Sequence, residues 1–399
     1  MFTDLSTKYL MSKAGLLFGL LLGAGQFWAQ PTPYKFSADI EAMLRGDQPG
    51  KNQFAAWEYS RIGEYRAALA AWDHDFGSRR FLPAVDSLAF RAYHAMGARD
   101  YILARAKTAR VIILNEAHHN PRHRVFAASL LPHLARLGFT YFGAEGLNAT
   151  DSLLNQRRYP VLNSGYYVSE PCFGNLVRTA AQTGYHLFAY EAPGRSSTQE
   201  REAIQARNIA HVMQANPHAK LVIYCGFAHL DERPQSVFDG PAMAARLKAL
   251  TGVDPLTIDQ TELTEAATAN SANPLYRVAK APASSVFVNV QGQPFDRASA
   301  ALRVDLCVYH PPTTYRSGRP AWLFGSGHRA VPVASRINIA FPCLVLAYDQ
   351  REDAAQAVPV DVIELKNDYD AKVLVLGRGQ FKVVARNRQE QTQTWLLDQ

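Results

Sequence analysis

The stretch VIILNEAHHNPRHRVF (residues 111–126) sets an apolar, β-branched run directly against Glu116, His118, His119 and His123. A carboxylate beside an imidazole forms a base pair able to take a proton from water, and a second histidine can protonate a leaving group. The same residue types gathered around a cation make an oxygen–nitrogen set that suits zinc or manganese. The plainer alternative is the polar rim of an ordinary strand-to-helix turn.

The elements along the chain decide which further residues join them. RVIILNE (110–116), TYFGAEG (140–146), HLFAYEA (186–192) and AKLVIYCGFAH (219–229) read as strands separated by helix-periodic segments. That alternation predicts a parallel sheet with flanking helices. The C-terminal strand ends of such a sheet share one edge, where ligands bind. In order they deliver Glu116 with His118 and His119, then Glu145, Glu191 and His229. One strand-end carboxylate means little, whereas four successive strands bringing ionisable groups to one edge favour a site over a rim. Clustered glutamates raise one another's pKa unless a cation lies between them. Glu145 and Glu191 therefore either orient histidines or belong to a metal set, for which Glu116, His118, Glu145 and His229 are the candidates.

The segment 120–139 reads as a helix with Asn120 as N-cap, Pro121 at its first position and Gly138 as its stop. Pro132 falls inside it and is expected to kink it. His123 heads the apolar face continued by Phe126, Ala127, Leu130 and Leu134, which suits a core histidine as well as a site residue. His133 lies off the edge.

Around this core, residues 31–100 read as helical, 101–325 as α/β, and 330–399 as short strands only. The fold expected is α/β: a parallel-sheet core with flanking helices, an N-terminal helical region and a small C-terminal β domain. Residues 1–29 have the layout of an export signal, with Lys8 and Lys13, then AGLLFGLLLGAG, then Ala29. A secreted or periplasmic protein with no stable membrane span after signal removal is expected. The formal charge of +7 comes from scattered residues rather than a basic stripe, which argues against nucleic acid. Cys172, Cys225, Cys307 and Cys343 match no zinc spacing, and Cys225 and Cys307 sit in apolar runs that suit buried thiols.

ILNEAHHNPRHR, AEGL (144–147), YE (190–191) and GFAH (226–229) together resemble the superfamily of erythromycin esterases, ChaN-type haem-uptake proteins and TraB/Tiki-type proteins. Over about residues 101–260 the shared marks fall on Glu116 and His118, on Glu145, and on Gly226 and His229. The haem-uptake branch adds Asn120 and His123, and the esterase branch shifts its first histidine to His119. The helix REAIQARN (201–208) is similar to an arginine-bearing helix of that branch and nominates Arg201. Two departures stand out. Asn115 occupies the usual glycine position before the glutamate, and no cysteine precedes Cys172 to carry a lipid anchor.

Three readings follow. The first is a hydrolase of ester or amide bonds, with a small-molecule or peptide substrate and Glu116, His118, His119, Glu145, Glu191, Arg201 and His229 as its working groups. The second is haem or iron capture without turnover, for which His123 and Tyr190 are candidate ligands. The third is a degenerate member whose cluster only stabilises the fold, with Asn115 as its support. Repulsion among the glutamates implies that Glu116→Gln leaves stability unchanged or raised.

Overall fold

The computed structural model describes residues 33–399 apart from 77–87, 195, 296–301 and 326. The expected export signal at 1–29 lies outside them. Among the described residues no helix is long and apolar enough to cross a membrane.

Three helices come first: α1 (Ser37–Arg45), α2 (Lys51–Arg61) and α3 (Tyr65–Phe76). The strand β1 (His94–Gly97) follows, inside the stretch expected to be helical, and pairs antiparallel with β7 (Ser285–Val288). Four of its residues could not show a period by themselves; the partner that makes them a strand lies far along the chain.

After α4 (Ala98–Ala106) comes β2 (Val111–Glu116), buried at every position, as a central parallel strand covered on both faces must be. The sheet continues with β3 (Phe139–Ala144), β4 (His186–Ala189), β5 (Lys220–Gly226), β6 (Leu256–Asp259) and β8 (Leu306–Cys307). Its order is β4-β3-β5-β2-β6-β8, parallel throughout. The alternation of β2 sorts its side chains between two cores. Ile112 and Leu114 join α5 (Arg122–Arg136) and α6 (Pro171–Thr183) on one face. Val111 and Ile113 join α7 (Thr198–Ala215) and α8 (Met243–Thr251) on the other. Helix α5 continues unbroken through Pro132, and Asn120 Oδ1 accepts from the Arg122 amide at its start.

The C-terminal region is antiparallel: β10 (Cys343–Asp349), β11 (Asp361–Leu365), β13 (Gln380–Asn387) and β14 (Thr392–Asp398) lie in the order β11-β10-β13-β14. One face meets β9 (Arg329–Val331) and β12 (Leu374–Leu376) through Val345, Ile363 and Val383. The other, with Leu344, Leu346 and Val362, packs on Ile40, Ala55 and Tyr59 of the first helices. The helices α1–α3 and the C-terminal sheet therefore share one core, and Pro33–Gln399 forms one compact unit. This packing fixes α2 and α3, which reach the site described next. Among the described residues, Cys172, Cys225, Cys307 and Cys343 form no disulfide.

Candidate functional site

Because β2, β3 and β5 are adjacent and parallel, Glu116, Glu145 and Gly226 arrive at one level of the sheet edge. Gly226 is required there by space rather than by backbone conformation. A Cβ on it would lie 2.5 Å from His118 Nε2 and 3.2 Å from Glu145 Oε2, so imidazole and carboxylate meet over the glycine.

Glu116 is fully engaged. Its Oε1 lies 2.8 Å from His118 Nδ1, and Arg124 donates to both oxygens at 2.6 Å. The Tyr224 hydroxyl donates to Oε2 at 2.9 Å. Burial by itself raises the Glu116 pKa, but Arg124 and His118 outweigh it and bring it down to about 2. The carboxylate is therefore ionised at neutral pH. It holds an N–H at His118 Nδ1, which leaves Nε2 as the basic nitrogen. The His118 ring is fixed by Tyr167, stacked at 3.9 Å, and by the edges of Trp57 and Phe227.

A second cluster faces it. Arg201 donates from Nε and Nη2 to Glu191 at 2.9 and 2.5 Å, and from Nη2 to Glu145 Oε1 at 2.5 Å. The Gly226 amide donates to Glu145 Oε2 at 2.5 Å. His229 Nδ1 lies 2.7 Å from Glu202 Oε1, an ion contact off the line of a good hydrogen bond. Its Nε2 lies 3.0 Å from Arg201 Nη1 and 3.5 Å from Glu145 Oε1. Burial disfavours a charged His229, yet Glu145 and Glu202 outweigh it and raise the pKa to about 9. Burial also works against charge on Glu145, but His229 and Arg201 hold its pKa well below the usual carboxylate range. Since a guanidinium only donates, the Arg201–His229 contact belongs to the neutral imidazole. The partner open to a protonated Nε2 is Glu145 Oε1, 3.5 Å away.

The edge thus brings together Glu116, His118, Glu145, Glu191, Arg201 and His229. His119 stands beside them, stacked on Trp72 at 4.3 Å; burial, then the charges of His118 and Arg124, lowers its pKa to about 3. His123 and Tyr190 stand apart. His123 Nδ1 accepts from the Ala117 amide at 3.0 Å, and the Tyr190 hydroxyl donates to the Tyr224 carbonyl at 2.8 Å, both fully buried. Both are engaged in buried bonds away from the cluster at the sheet edge.

The donors proposed for zinc or manganese do not fit a metal either. Both oxygens of Glu116 and of Glu145 already accept from arginines, a tyrosine or an amide, and guanidinium groups occupy the cation positions. Among the described residues, the one group of three donor atoms within 4.8 Å of one another is Asp259, Glu262 and Cys307, at the ends of β6 and β8.

Several partners escaped the sequence reading. Arg124 stands eight residues after Glu116, one turn into α5, and Glu202 directly follows Arg201 in REAIQARN; both lie inside the stretches that already carried the site residues. Tyr224 and Trp72 could not be read from the sequence, because their approach depends on sheet register and on the packing of α3.

No protein-family model matches the chain, and no curated protein matches it. Among solved structures, the type III effector HopBA1 aligns with a TM-score of 0.35 and 10% identity over 55% of this chain and 97% of that one. The RRSP MARTX toxin effector domain from Vibrio vulnificus CMCP6 aligns at 0.31 and 20% identity, over 54% of this chain and 46% of that one. ChaN of Campylobacter jejuni, described with cofacial haem binding, aligns at 0.31 and 8% identity over 53% and 92%. These likenesses are loose and assign no role to any residue.

Proposed function

We propose that the protein hydrolyses ester or amide bonds of a small-molecule or peptide substrate, with guanidinium groups rather than a metal carrying the positive charge. One observation carries the reading: Glu116 holds His118 by its Nδ1 at 2.8 Å, which leaves Nε2 basic, opposite a histidine that two carboxylates keep protonated. A histidine oriented by a carboxylate, opposite one held protonated, is the arrangement of a base and an acid. His118 Nε2 takes a proton from water as the oxygen attacks the carbonyl carbon. The charge that develops on the carbonyl oxygen is met by Arg201 Nη1, released once His229 is protonated. The carbon–oxygen or carbon–nitrogen bond then breaks as His229 Nε2 gives its proton to the leaving group. His118 loses its proton to solvent, His229 regains one, and one water has been consumed. Glu116, Glu145 and Glu202 orient the two imidazoles. Export suits the layout of residues 8–29.

The test is hydrolysis of a panel of chromogenic esters and anilides by the wild type, by His118→Ala and by His229→Gln, with circular dichroism as the folding control. Turnover that falls about 10²-fold or more in both folded variants is expected. Turnover abolished by a chelator and restored by zinc would overturn the guanidinium reading. Unchanged turnover in both variants would overturn the site.

A further inference from the structure

Among the described residues four large aromatic side chains are exposed: Phe54 (44%), Phe76 (51%), Tyr166 (52%) and Tyr369. Single exposed apolar residues are ordinary, but convergent ones mark a binding surface. Three of these four lead by ring contacts to the site histidines. Phe54 meets Trp57 edge-on, and Trp57 meets His118. Tyr166 meets Tyr167, which stacks on His118. Phe76 stacks on Trp72 at 4.3 Å, and Trp72 stacks on His119 at 4.3 Å and 14°. Trp72 also lies at 11° to Phe227, 5.2 Å away, so Phe76, Trp72, His119 and Phe227 present nearly parallel rings.

Two independent observations point to a ligand on this platform. Phe227 has φ 41°, the left-handed region that side chains other than glycine's avoid. It is held there by its amide, which donates to the Glu116 carbonyl at 2.8 Å, and by its carbonyl, which accepts from Asn115 Nδ2 at 2.7 Å. Backbone strain of this kind persists where the surroundings enforce it, and it collects at functional sites. The buried His119 ring adds a polar atom, Nδ1, that has no partner among the described residues. A buried polar atom left unpaired beside an aromatic platform is expected of a place where a ligand supplies the partner.

We infer that the site takes esters and amides carrying an aromatic ring a few bonds from the scissile carbonyl, the class that includes peptide bonds at aromatic residues. The ring packs on the exposed Phe76 at the outer end of this stack and against the edges of Trp72 and Phe227, and His119 hydrogen-bonds a polar group further along the substrate. This rests on the hydrolase reading of the same edge.

The experiment separates the two claims. Binding of N-acetyl-phenylalaninamide and N-acetyl-leucinamide to the Glu116→Gln variant is measured by calorimetry, alone and combined with Phe76→Leu or Trp72→Ala. Turnover of phenylalanine and alanine p-nitrophenyl esters is measured with the same platform changes in the wild-type background. Phe76→Leu removes the ring at a half-exposed position and keeps an apolar side chain there, with circular dichroism as the folding control. The aromatic amide is expected to bind about 10-fold more tightly than the aliphatic one, with that preference lost in Phe76→Leu. KM for the phenylalanine ester is expected to rise by a similar factor while kcat and the alanine ester change little. Hydrolysis without aromatic preference, or with a preference indifferent to Phe76→Leu, overturns the platform and leaves the hydrolase standing. Aromatic binding that needs Phe76, with no hydrolysis of any ester, keeps the platform and overturns the hydrolase. Absence of both binding and hydrolysis overturns both.

Discussion

Two guanidinium groups tie carboxylates to the same sheet edge, with near-identical contacts and different surroundings. Arg124 makes four hydrogen bonds, to Glu116, Glu170 and the His118 carbonyl, and its side chain is 1% exposed. Arg201 makes four as well, to Glu145, Glu191 and His229, and its side chain is 33% exposed. Burial commits the first cluster, since a partner removed leaves a charge with neither water nor counter-charge. Access to water lets the second rearrange. Equal numbers of hydrogen bonds hide this; solvent makes the first cluster rigid framework and leaves Arg201 free to move.

The largest effect separates them by stability. Arg124→Met leaves Glu116 and Glu170 buried without their cation, and a loss of about 3–5 kcal/mol is expected in chemical denaturation. Arg201→Met is expected to cost within about 1 kcal/mol, because His229 stands 3.5 Å from Glu145 and can take over the contact. Equal losses would erase the distinction.

Next comes Glu116→Gln, which keeps shape but removes the charge that fixes His118. A fall in kcat of about 10²–10⁴ is expected. Stability should fall too. Glutamate repulsion had suggested no change or a gain, but Glu116 faces Arg124 rather than another carboxylate, and the neutral amide leaves that buried guanidinium underpaired. On the outer side, Arg201→Met is expected to lower kcat by about 10²–10³, as loss of an oxyanion donor does. A rise in KM alone, with kcat kept, would make Arg201 a mere substrate contact.

The two clusters also titrate in opposite directions. The Glu116 pKa is depressed to about 2, so its contribution to stability is present above the ordinary carboxylate range and lost as pH falls toward 2. The His229 pKa is raised to about 9, so its contribution is present below the ordinary histidine range and lost as pH rises through 9. Melting temperature against pH is expected to decline on both sides, and His229→Gln to flatten the alkaline decline alone. The acidic side gains from His119, His123 and His310, which burial keeps neutral and which cost stability as pH drops below the usual histidine range. An alkaline decline that survives His229→Gln would detach it from this cluster.

How much of this was legible follows from which period each feature has. The strands β2, β3 and β5 were readable because their apolar runs are largely buried and an ionisable residue follows each, and a shared edge follows from parallel strands alone. Strand β1 was not, because four residues carry no period and their partner lies at 285–288. In the site, residues next to strand ends were readable. The aromatic wall was not, because Trp57 and Trp72 look like ordinary positions on amphipathic helices, and what turns them toward His118 and His119 is the contact between α1–α3 and the C-terminal sheet. Arg124 was in plain view among the histidines, and its charge was passed over because its partner lies across a turn.

The smallest expected effect decides whether the edge is degenerate. Asn115 holds the position where related patterns have glycine, which suggested a damaged site. The structure gives it work instead. Its Nδ2 donates to the Phe227 carbonyl at 2.7 Å and to Asp259 Oδ1 at 2.6 Å, and its Oδ1 accepts from the Gln260 amide at 2.7 Å. It therefore ties the strained turn after β5 to the end of β6, in a fully buried place where no water can substitute. It makes no side-chain contact with Glu116 or His118 in these bonds. Asn115→Gly removes three buried partners and adds a flexible residue to a central strand, so a loss of about 2 kcal/mol is expected in denaturation. The rate should fall by less than about 10-fold, since the base and its orienting carboxylate stay in place and only the turn bearing Phe227 loosens. A rise in rate on Asn115→Gly would mean that asparagine had been disabling the edge, and the degenerate reading would then be right.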